Sequence, residues 1–474
     1  MKFLNFFSSR KHSNLPSLRF KNTLSGNLEE FSPLNTIVKL YSCGPTAYDE
    51  QHIGNLFPPV VANVLRRALE VWGYHTQEVN NITDFGHISE DEASEDKMTK
   101  GLQREGKALT LKNMRALAEK YAELFFADLP PLGINTKKVS YPRASDFIDE
   151  QIALIQTLEQ KSFAYRTSDG VYFDVLKFEG YGRLGGIDLS SLKAGARVEE
   201  NPEKRSPYDF ALWKRDQKLG WKSPWGLGFP GWHTECVAMI FKLLGKQIDI
   251  HMGGSDLIPI HHNNEIAQAE AATGKQFVRY WIHNAHITVE GKKISKSIGN
   301  TIYLHNLVDR GIAPRSLRYW FLTGHYRTPM NFTWEAIDGA NIALKRLSRI
   351  FYEELPKGGA PDQKFLEKFY ATIADDLNTP QALALVWELV KDASVSPADK
   401  RASIAHADKI LGLLEVRAQK EVTVLPEEVK RLATEREAAR LGKNYAKADT
   451  LRKQIETLGF ELTDTPEGPK ITKK

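Results

Sequence analysis

Three groups of residues have types and spacings that could do chemistry, and the first is Gln51-His52-Ile53-Gly54-Asn55. It lies between a predicted strand and a predicted helix. A glycine lets backbone approach a ligand closely, and helix N-termini attract phosphate groups. The imidazole of His52 and the amide of Asn55 could then donate hydrogen bonds to phosphate oxygens. Taken alone, this short motif is better explained as a capped turn that carries an exposed histidine.

The second group is the loop Lys293-Ile294-Ser295-Lys296-Ser297, which is followed by Gly299. Two ammonium groups and two hydroxyls on one flexible loop can bind a triphosphate and stabilise the negative charge that develops on the departing pyrophosphate. The alternative is an exposed basic loop, for example a linker that is readily phosphorylated. That alternative weakens because the histidine motif lies upstream in the same predicted sheet.

The third group is dispersed and consists of Cys43, Cys236, His261 and Glu265. His261 and Glu265 are four residues apart, so on a helix they project from one face. One histidine, one carboxylate and two thiolates make a tetrahedral zinc shell. From the residues alone, the better explanation is two unconnected buried thiols and a histidine and glutamate that share only a helix surface.

The elements around these residues predict a parallel α/β sheet. A strand at 37–41 leads through the turn Gly44-Pro45 into a helix whose apolar positions recur at helical spacing. Pro58 and Pro59 are expected in the first turn of that helix. A strand over 76–79 follows, which completes the unit of a parallel sheet. Two late strands, at 247–251 and 286–289, are expected to return to it.

The rest of the chain has different sequence patterns. Residues 141–205 begin with a helical pattern and continue into a glycine-rich, strand-like part, which predicts an insertion that splits one nucleotide-binding domain. After about residue 340 the pattern is helical, and Asn378 followed by Pro380 predicts a capped helix start. One amphipathic face is expected near the C-terminus, on Tyr445, Ala448, Leu451, Ile455 and Leu458.

Composition and charge exclude several classes of protein. The chain has 474 residues, 42% hydrophobic and 26% charged, which excludes a collagen, a low-complexity scaffold and a largely disordered chain. Its net charge of +5 permits a polyanionic partner without demonstrating one. Two cysteines do not build a disulfide-rich secreted scaffold. No apolar run approaches the roughly 20 residues of a membrane helix. The first residues are expected to form a cytosolic tail, with a transit peptide as the alternative, so we expect a cytoplasmic protein.

Several ordered motifs give the chain a specific resemblance to cysteinyl-tRNA synthetases. The stretch from Tyr41 to Asp49, followed by His52-Ile53-Gly54, resembles the opening signature of that family. Later blocks follow in the same order, and the lysine loop closes the series. These blocks are Asn81-Ile82-Thr83-Asp84, Asp209-Phe210-Ala211-Leu212-Trp213-Lys214, Pro230-Gly231-Trp232-His233-Thr234-Glu235-Cys236 and Gly254-Ser255-Asp256.

The resemblance implies a fold and a domain order. The family is similar in fold to class I synthetases, with a Rossmann-type parallel sheet, a connective insertion and a helical anticodon-binding region. The expected divisions are an N-terminal tail (1–18), a split Rossmann catalytic domain (19–140 and 206–300), a connective insertion (141–205), a stem-contact-like connector (301–340), a helical bundle (341–418) and a C-terminal anticodon-binding module (424–474).

The resemblance also assigns roles to residues of this sequence. Asn55 stands where the family usually has histidine, and Ile294 replaces a more usual methionine. The implied zinc ligands are Cys43, Cys236, His261 and Glu265. The implied catalytic residues are His52, Asn55, Lys293 and Lys296. The implied ATP contacts are His52, Asn55, Gly254, Asp256 and Lys296, and the implied cysteine pocket is formed by Gly44, Thr46, Thr83 and Trp232.

The implied reaction is ligation of L-cysteine to tRNA-Cys. The cysteine carboxylate attacks the α-phosphorus of ATP, which enters with Mg²⁺, and cysteinyl-adenylate passes its aminoacyl group to the terminal adenosine of the tRNA. No side-chain nucleophile is needed, so catalysis is positioning and charge stabilisation. Since a thiol loses its proton to a metal more readily than an alcohol does, one zinc ion is expected to select cysteine over serine without an editing domain.

Two alternatives share parts of this pattern. A ligase that activates cysteine and joins it to an amino sugar would share the zinc and ATP motifs, but it would not need the C-terminal module. A non-catalytic tRNA-binding paralogue would not need the lysines and ligands that are intact here. We expect a monomer with tRNA-Cys, L-cysteine and ATP as partners and no membrane partner.

Overall fold

The structure is a computed structural model of the chain, and it describes residues 15–86, 97–187, 201–414, 426–442, 444–465 and 468–473. Most of the predicted N-terminal tail lies outside the described residues. The chain divides into two compact units, Met1–Leu413 and Leu414–Lys474. No helix in the described ranges is both long and apolar enough to cross a membrane.

The first unit contains strands and helices in alternation. Its strands are β1 (Arg19–Asn22), β2 (Asn27–Glu30), β3 (Ile37–Ser42), β4 (His75–Asn80), β5 (Val139–Ser140), β6 (Ala164–Thr167), β7 (Gly170–Phe173), β8 (Phe210–Arg215), β9 (Trp221–Ser223), β10 (Gly226–Pro230), β11 (Ile248–Gly254), β12 (Val278–Asn284), β13 (Ile287–Val289), β14 (Lys292–Lys293) and β15 (Met330–Phe332). Its helices are α1 (Ile53–Val71), α2 (Lys97–Arg104), α3 (Leu111–Asp128), α4 (Ile148–Gln160), α5 (Trp232–Leu243), α6 (Asn263–Thr273), α7 (Leu304–Asp309), α8 (Pro314–Thr323), α9 (Trp334–Arg349), α10 (Gln363–Ala374), α11 (Thr379–Lys391) and α12 (Pro397–Leu411).

The central sheet is parallel and has the strand order β12-β11-β3-β4-β5, which confirms the predicted Rossmann-type fold. Its strands are short and rich in buried apolar residues, as expected when helices cover both faces. The chain leaves β3 toward β4 and leaves β11 toward β12, on the opposite side. The sheet therefore changes direction between β3 and β11, and ligands of such sheets bind at the carboxyl ends of the strands at that point.

Two local predictions were wrong. The late strand expected at 286–289 exists as β13, but it pairs with β14 and β15 in a separate three-stranded sheet. The parallel sheet takes β12 instead, whose mixture of tyrosine, tryptophan, histidine and arginine obscures its burial in the sequence. Helix α1 begins at Ile53, so Pro58 and Pro59 lie in its second turn and not in its first.

The predicted insertion begins with α4 and an antiparallel sheet of order β6-β7-β8-β10-β9. That sheet continues to Pro230, well beyond residue 205, because β8 pairs with β7 and closes the layer over shared aromatic side chains such as Phe173 and Phe210. The ranges that divide the chain into domains stay a prediction.

The helical region after α9 follows the expected periodicity. Phe365, Phe369 and Ile373 are buried on α10. The side chain of Asn378 caps α11 by accepting a hydrogen bond from the backbone of Gln381 (3.3 Å), which confirms the predicted helix start.

The second unit consists of α13 (Glu427–Leu441), α14 (Tyr445–Thr457), β16 (Phe460–Thr465) and β17 (Gly468–Lys473). Ala448, Leu451 and Ile455 are buried as the amphipathic pattern predicts. Tyr445 and Leu458 are exposed, by 62% and 42%, so this part of the predicted face was wrong. They stand at the two ends of α14, where the small core of the unit does not reach.

One buried carboxylate joins three separate segments of the first unit. Asp376, in the left-handed region with φ 60°, accepts hydrogen bonds from the backbone of Lys21 (2.8 Å), the hydroxyl of Tyr326 (2.7 Å) and the guanidinium of Arg327 (2.6 Å). Its neighbour Asp375 makes a half-exposed ion pair with Arg19 (2.7 Å). Asp376 therefore fastens the N-terminal strand to the junction of α10 and α11.

We expect Asp376→Asn to lower the free energy of unfolding by roughly 1–3 kcal/mol, because charge-assisted hydrogen bonds to a buried group are lost. Asparagine tolerates the left-handed backbone, so the substitution isolates the charge. The matched control is Asp375→Asn, expected to change stability by about 0.5 kcal/mol or less. Equal effects of the two substitutions in a denaturant titration would contradict this account.

Candidate active site and metal centre

The four predicted metal ligands, which are distant in sequence, converge on one buried point. Cys43 follows the carboxyl end of β3, Cys236 lies on α5, and His261 and Glu265 lie on the turn into α6 and on α6 itself. Their ligand atoms all lie within 4.8 Å of one another. Individual separations are 2.8 Å from His261 Nε2 to Glu265 Oε1, 3.7 Å from Cys236 Sγ to His261 Nε2 and 3.9 Å from Cys43 Sγ to Glu265 Oε1.

The 3.7 Å between Cys236 Sγ and His261 Nε2 matches two donors of a tetrahedral ion, and the 3.9 Å between Cys43 Sγ and Glu265 Oε1 is close to that separation. The 2.8 Å between His261 Nε2 and Glu265 Oε1 is a hydrogen-bond distance, so these two atoms must separate to bind one ion. Zinc binds nitrogen, oxygen and sulfur at roughly 2.0–2.3 Å, so its donors are separated by roughly 3.3–3.8 Å around a tetrahedron. Two sulfurs, one imidazole nitrogen and one carboxylate oxygen form a donor set that suits zinc. Cys236, His261 and Glu265 are each at most 3% exposed, and Cys43 is half-buried. The residues present therefore fit the predicted metal.

Backbone close to Cys43 is shaped by one glycine. A Cβ atom at Gly44 would lie 1.6 Å from the carbonyl oxygen of Asn81, which no side chain could accommodate. The backbone N–H of Gly44 donates to the side chain of Asn81 (2.8 Å). Glycine at this position lets the segment after β3 lie directly against the segment after β4. Cys43 is thereby placed at the carboxyl edge of the sheet.

The charges of the four ligands are strongly coupled. Burial raises the pKa of the Cys43 thiol well above its usual value, whereas a hydrogen bond from that thiol lowers the pKa of Cys236 to about 6 against the opposing effect of burial. Burial alone would lower the pKa of His261, but Glu265 and Cys236 raise it to about 10. Burial alone would raise the pKa of Glu265, but His251 and His261 lower it to about 2. A metal ion that displaces the protons from these four side chains would therefore be bound by carboxylate and thiolate ligands.

Four further histidines surround this point, and the sequence analysis assigned them no role. His233 Nδ1 lies 2.8 Å from His261 Nδ1, so it fixes the ring whose other nitrogen faces the sulfur. His251 Nε2 lies 2.8 Å from Glu265 Oε2, and His262 Nε2 lies 3.4 Å from Cys43 Sγ. His262 Nδ1 also contacts His283 Nε2 (2.8 Å). A signal was present, because His233 and His262 stand beside predicted residues, but only folding brings His251 and His283 to them.

The predicted cysteine-pocket residues lie beside the ligand cluster. Thr46 and Thr83 face each other on neighbouring segments, held by the backbone hydrogen bond from Thr83 to Pro45 (3.1 Å). The indole of Trp232 packs against the ring of His261 with centroids 4.4 Å apart. The structure therefore brings Thr46, Thr83 and Trp232 to the metal-ligand cluster.

Glu235 is a buried residue of this pocket that the sequence analysis missed as a site residue. Its carboxyl accepts a hydrogen bond of 2.7 Å from the hydroxyl of Thr83 and is fully buried. Burial, reinforced by the neighbouring Cys236, raises the pKa of Glu235 well above its usual value. Glu235 thus fixes the direction of the Thr83 hydroxyl.

The histidine motif and the lysine loop are in contact. His52 precedes α1, and a Cβ atom at Gly54 would lie 3.0 Å from the His52 ring and 3.1 Å from Ile294 of the lysine loop. Asn55 Nδ2 donates to Gln51 Oε1 (2.6 Å). Burial lowers the pKa of His52, so its imidazole is neutral near pH 7. Two motifs far apart in sequence therefore form one surface beside the N-terminus of α1.

The lysine loop is held by polar contacts. Lys296 makes an ion pair with Asp49, and Arg104 donates a hydrogen bond to the same carboxylate. Asn300 holds the other side of the loop, because its amide donates to the carbonyl of Lys293 (3.0 Å). The ammonium group of Lys293 is exposed. Lys296 is therefore paired with an anion of its own chain.

Gly254 and Asp256 lie where β11 ends. A Cβ atom at Gly254 would lie 2.2 Å from the Asp256 carboxylate, so a larger residue there would require that carboxylate to move. Asp256 is exposed at the carboxyl edge of the sheet. This is the edge at which the sheet changes direction, so Asp256 is accessible to a ligand there.

The comparisons with known proteins agree with these features. Residues 30–342 match the model of the tRNA synthetases class I (C) catalytic domain, and residues 368–416 match the DALR domain. The cysteine–tRNA ligase 1 of Burkholderia lata is 43% identical over 463 residues, 96% of each chain. The cysteine–tRNA ligase of Thermotoga maritima is 39% identical over 475 residues, 96% of this chain and 100% of that one.

A solved structure supports the fold independently. The methionyl-tRNA synthetase of Mycobacterium tuberculosis bound to methionyl-adenylate superposes with a TM-score of 0.53 at 14% identity, covering 79% of this chain and 90% of that chain. At this identity the likeness shows a common class I fold and no more. Because these relatives are 43% and 39% identical to the chain over nearly its full length, the chain belongs to the cysteine–tRNA ligase family.

Proposed function

We propose that the protein ligates L-cysteine to tRNA-Cys in an ATP-dependent reaction that passes through cysteinyl-adenylate. The observation that carries this proposal is the convergence of Cys43, Cys236, His261 and Glu265 beside the edge of the parallel sheet. A nucleotide-binding edge and a thiol-selective pocket in one cleft are what activation of cysteine requires. Membership of the cysteine–tRNA ligase family supports the same reaction.

The residues around the nucleotide stabilise charge and do not attack. The carboxylate of cysteine attacks the α-phosphorus of ATP, the bond to pyrophosphate breaks, and Mg²⁺ accompanies the nucleotide. His52 and Asn55 donate to phosphate oxygens from the N-terminus of α1. Lys293 and Lys296 neutralise the departing pyrophosphate after Lys296 exchanges Asp49 for phosphate. Gly254 and Asp256 contact the nucleotide at the end of β11.

The amino-acid pocket selects by chemistry as well as by shape. Cys43, Cys236, His261 and Glu265 hold zinc, which when bound accepts a thiolate far better than a neutral alcohol. Thr46, Thr83 and Trp232 with Gly44 line the remainder of the pocket. Glu235 fixes the direction of the Thr83 hydroxyl. Exclusion of serine does not then depend on pocket shape, which separates such similar substrates by only roughly 10–200-fold.

The transfer step requires an RNA partner. The second unit and the DALR match at residues 368–416 support a tRNA-binding role for the C-terminal part of the chain. An amino-sugar ligase would not need such a part, and no observation favours that alternative or a non-catalytic paralogue.

The activity test uses ATP–pyrophosphate exchange followed by charging of tRNA-Cys transcripts. We expect exchange with cysteine, a preference over serine greater than about 200-fold, and aminoacylation of the transcript. Exchange without charging would favour the amino-sugar ligase. Absence of both activities would overturn the proposed function.

Cys236→Ser is expected to lower the zinc content of purified protein at least about tenfold and to abolish exchange with cysteine, since a serine hydroxyl is a poor zinc ligand. Elemental analysis and the exchange assay measure the two effects. Thr234→Ser is the control on the same helix, because its hydroxyl faces Gln268 (2.9 Å) and not the ligand cluster. Full zinc content in Cys236→Ser would refute the ligand assignment.

Lys296→Ala is expected to lower kcat for ATP–pyrophosphate exchange by about 10²–10³-fold with zinc content unchanged, because one charged contact to the departing pyrophosphate is removed. Lys292→Ala is the matched control, since Lys292 is an exposed lysine on β14 outside the proposed contacts. A loss of equal size in both variants would show that general loop charge matters and that Lys296 has no specific role.

A further inference from the structure

We propose that Asp49 is a positioning residue that holds Lys296 of the lysine loop while the nucleotide site is empty and that competes with phosphate for it. Its carboxylate makes an ion pair with Lys296 and also accepts a hydrogen bond from Arg104. Arrival of ATP transfers Lys296 from Asp49 to the phosphates, and Asp49 recaptures it when pyrophosphate leaves. This inference rests on the role of Lys296 in the proposed function and deepens it, because it names the group that regulates the loop.

The carboxylate of Asp49 is fixed in direction by its own turn. Its Oδ1 accepts a hydrogen bond from the backbone of Glu50 (2.9 Å), and its Oδ2 receives both cations. The backbone carbonyl of Asp49 accepts from Gln51 Nε2 (2.9 Å), and Gln51 Oε1 accepts from Asn55 Nδ2 (2.6 Å). Asp49 therefore belongs to the same hydrogen-bonded segment that places the histidine motif.

Arg104 is the cation that Asp49 keeps. It lies at the end of α2, and its guanidinium also donates to the carbonyl of Tyr48 (2.9 Å) and to the hydroxyl of Tyr121 (3.0 Å). Helix α2 lies against the same segment, because a Cβ atom at Gly101 would lie 3.0 Å from the carbonyl oxygen of Tyr48. These contacts hold Arg104 beside Asp49 independently of the lysine loop.

Lys296 is the cation that Asp49 can release. It lies on the short turn between β14 and α7, and its side chain is 47% exposed. The base of the loop is held separately, since Asn300 accepts from the backbone of Ser295 (2.8 Å) and donates to the carbonyl of Lys293 (3.0 Å). The ammonium group of Lys296 can therefore change partners while the base of the loop keeps its contacts.

The charges explain why this exchange requires little free energy. Asp49 places one negative charge between two positive charges, so it stays paired with Arg104 when Lys296 leaves. The side chain of Asp49 is only 12% exposed, and a largely buried carboxylate without any cation would be strongly destabilised. The arrangement of two cations on one carboxylate avoids that state both before and after nucleotide binds.

A simpler explanation gives Asp49 only a structural part, as the acceptor that anchors Arg104 and α2. It accounts for the contact between Arg104 and Asp49. It does not account for the ion pair with Lys296, which comes from a loop far along the chain. The two explanations predict opposite effects on nucleotide affinity, because structural damage weakens binding whereas removal of a competitor tightens it.

The test is Asp49→Asn in the full-length protein, with Kd measured by isothermal titration calorimetry for Mg²⁺–ATP, pyrophosphate and AMP in the absence of cysteine. Asparagine keeps the shape of the side chain and removes its charge. We expect ATP and pyrophosphate to bind about two- to fivefold more tightly, the range that a partly exposed ion pair supports. The affinity for AMP should stay unchanged, since AMP lacks the phosphates that Lys296 contacts.

A second substitution shows whether the effect passes through the lysine. In a Lys296→Ala background, Asp49→Asn should leave the affinity for ATP unchanged, because no ammonium group remains to compete for. Arg104→Met should weaken ATP binding, since Asp49 then has Lys296 as its remaining cation. Asp49→Ser, which also removes the charge, replaces Asp49→Asn if circular dichroism shows that the asparagine variant does not fold.

Glu50→Gln is the matched control. It removes a carboxylate from the next residue of the same turn, but that carboxylate pairs with His305 (2.8 Å) and not with the lysine loop. Its affinity for ATP should equal that of the wild-type protein. An equal gain in Glu50→Gln would show that general negative charge near the site, and not a specific competitor, sets the affinity.

Each outcome decides for or against the role of Asp49. Unchanged or weaker binding of ATP by the folded Asp49→Asn variant would overturn it, as would a gain that persists in the Lys296→Ala background. ATP–pyrophosphate exchange by the wild-type protein separates these results from the proposed function. Exchange with cysteine, together with unchanged ATP affinity in Asp49→Asn, would remove only the role of Asp49. Absence of ATP binding by the wild-type protein would overturn both.

Discussion

The site depends on the burial of three potentially anionic ligands at one point. Cys43, Cys236 and Glu265 come from a strand end and two helices, and each is removed largely or wholly from water. An isolated buried charge costs several kcal/mol even after relaxation, so such a cluster is stable only when protons, histidines or metal ions compensate it. The surrounding histidines supply part of that compensation through their contacts with the ligands.

Several backbone segments of the site lie very close together, and this closeness positions the reactive side chains. Glycine occurs where a side chain would obstruct such a contact. Gly44 lets the chain after β3 run against Asn81, and Gly54 lets the histidine motif contact Ile294 of the lysine loop. Neither approach could be made with a side chain at these positions without movement of the neighbour. The surface formed by the histidine motif and the lysine loop, and the cluster around Cys43, are therefore fixed by contacts between segments that are distant in sequence.

The charged groups of the cleft are balanced against one another before any ligand arrives. Lys296 is paired with Asp49, which Arg104 also contacts, so the ammonium group that we propose as catalytic has an internal anion. In the reaction that we propose, binding of a triphosphate exchanges one anion for another and does not desolvate an isolated lysine. In the same way, Glu265 is held by His251 and His261.

The sequence by itself determined the family and the parallel sheet, because these depend on local periodicity and on ordered motifs such as Cys43 to Gly54, and it predicted the four metal-ligand positions only through the family resemblance. It could not place β12 in the sheet, since a strand buried by both neighbours and helices needs no alternating pattern. Nor could it assign His251, His283 or Glu235, whose neighbours lie far away in the chain. Only the tertiary structure decided those contacts, because a buried polar group is defined by the partner that folding brings to it.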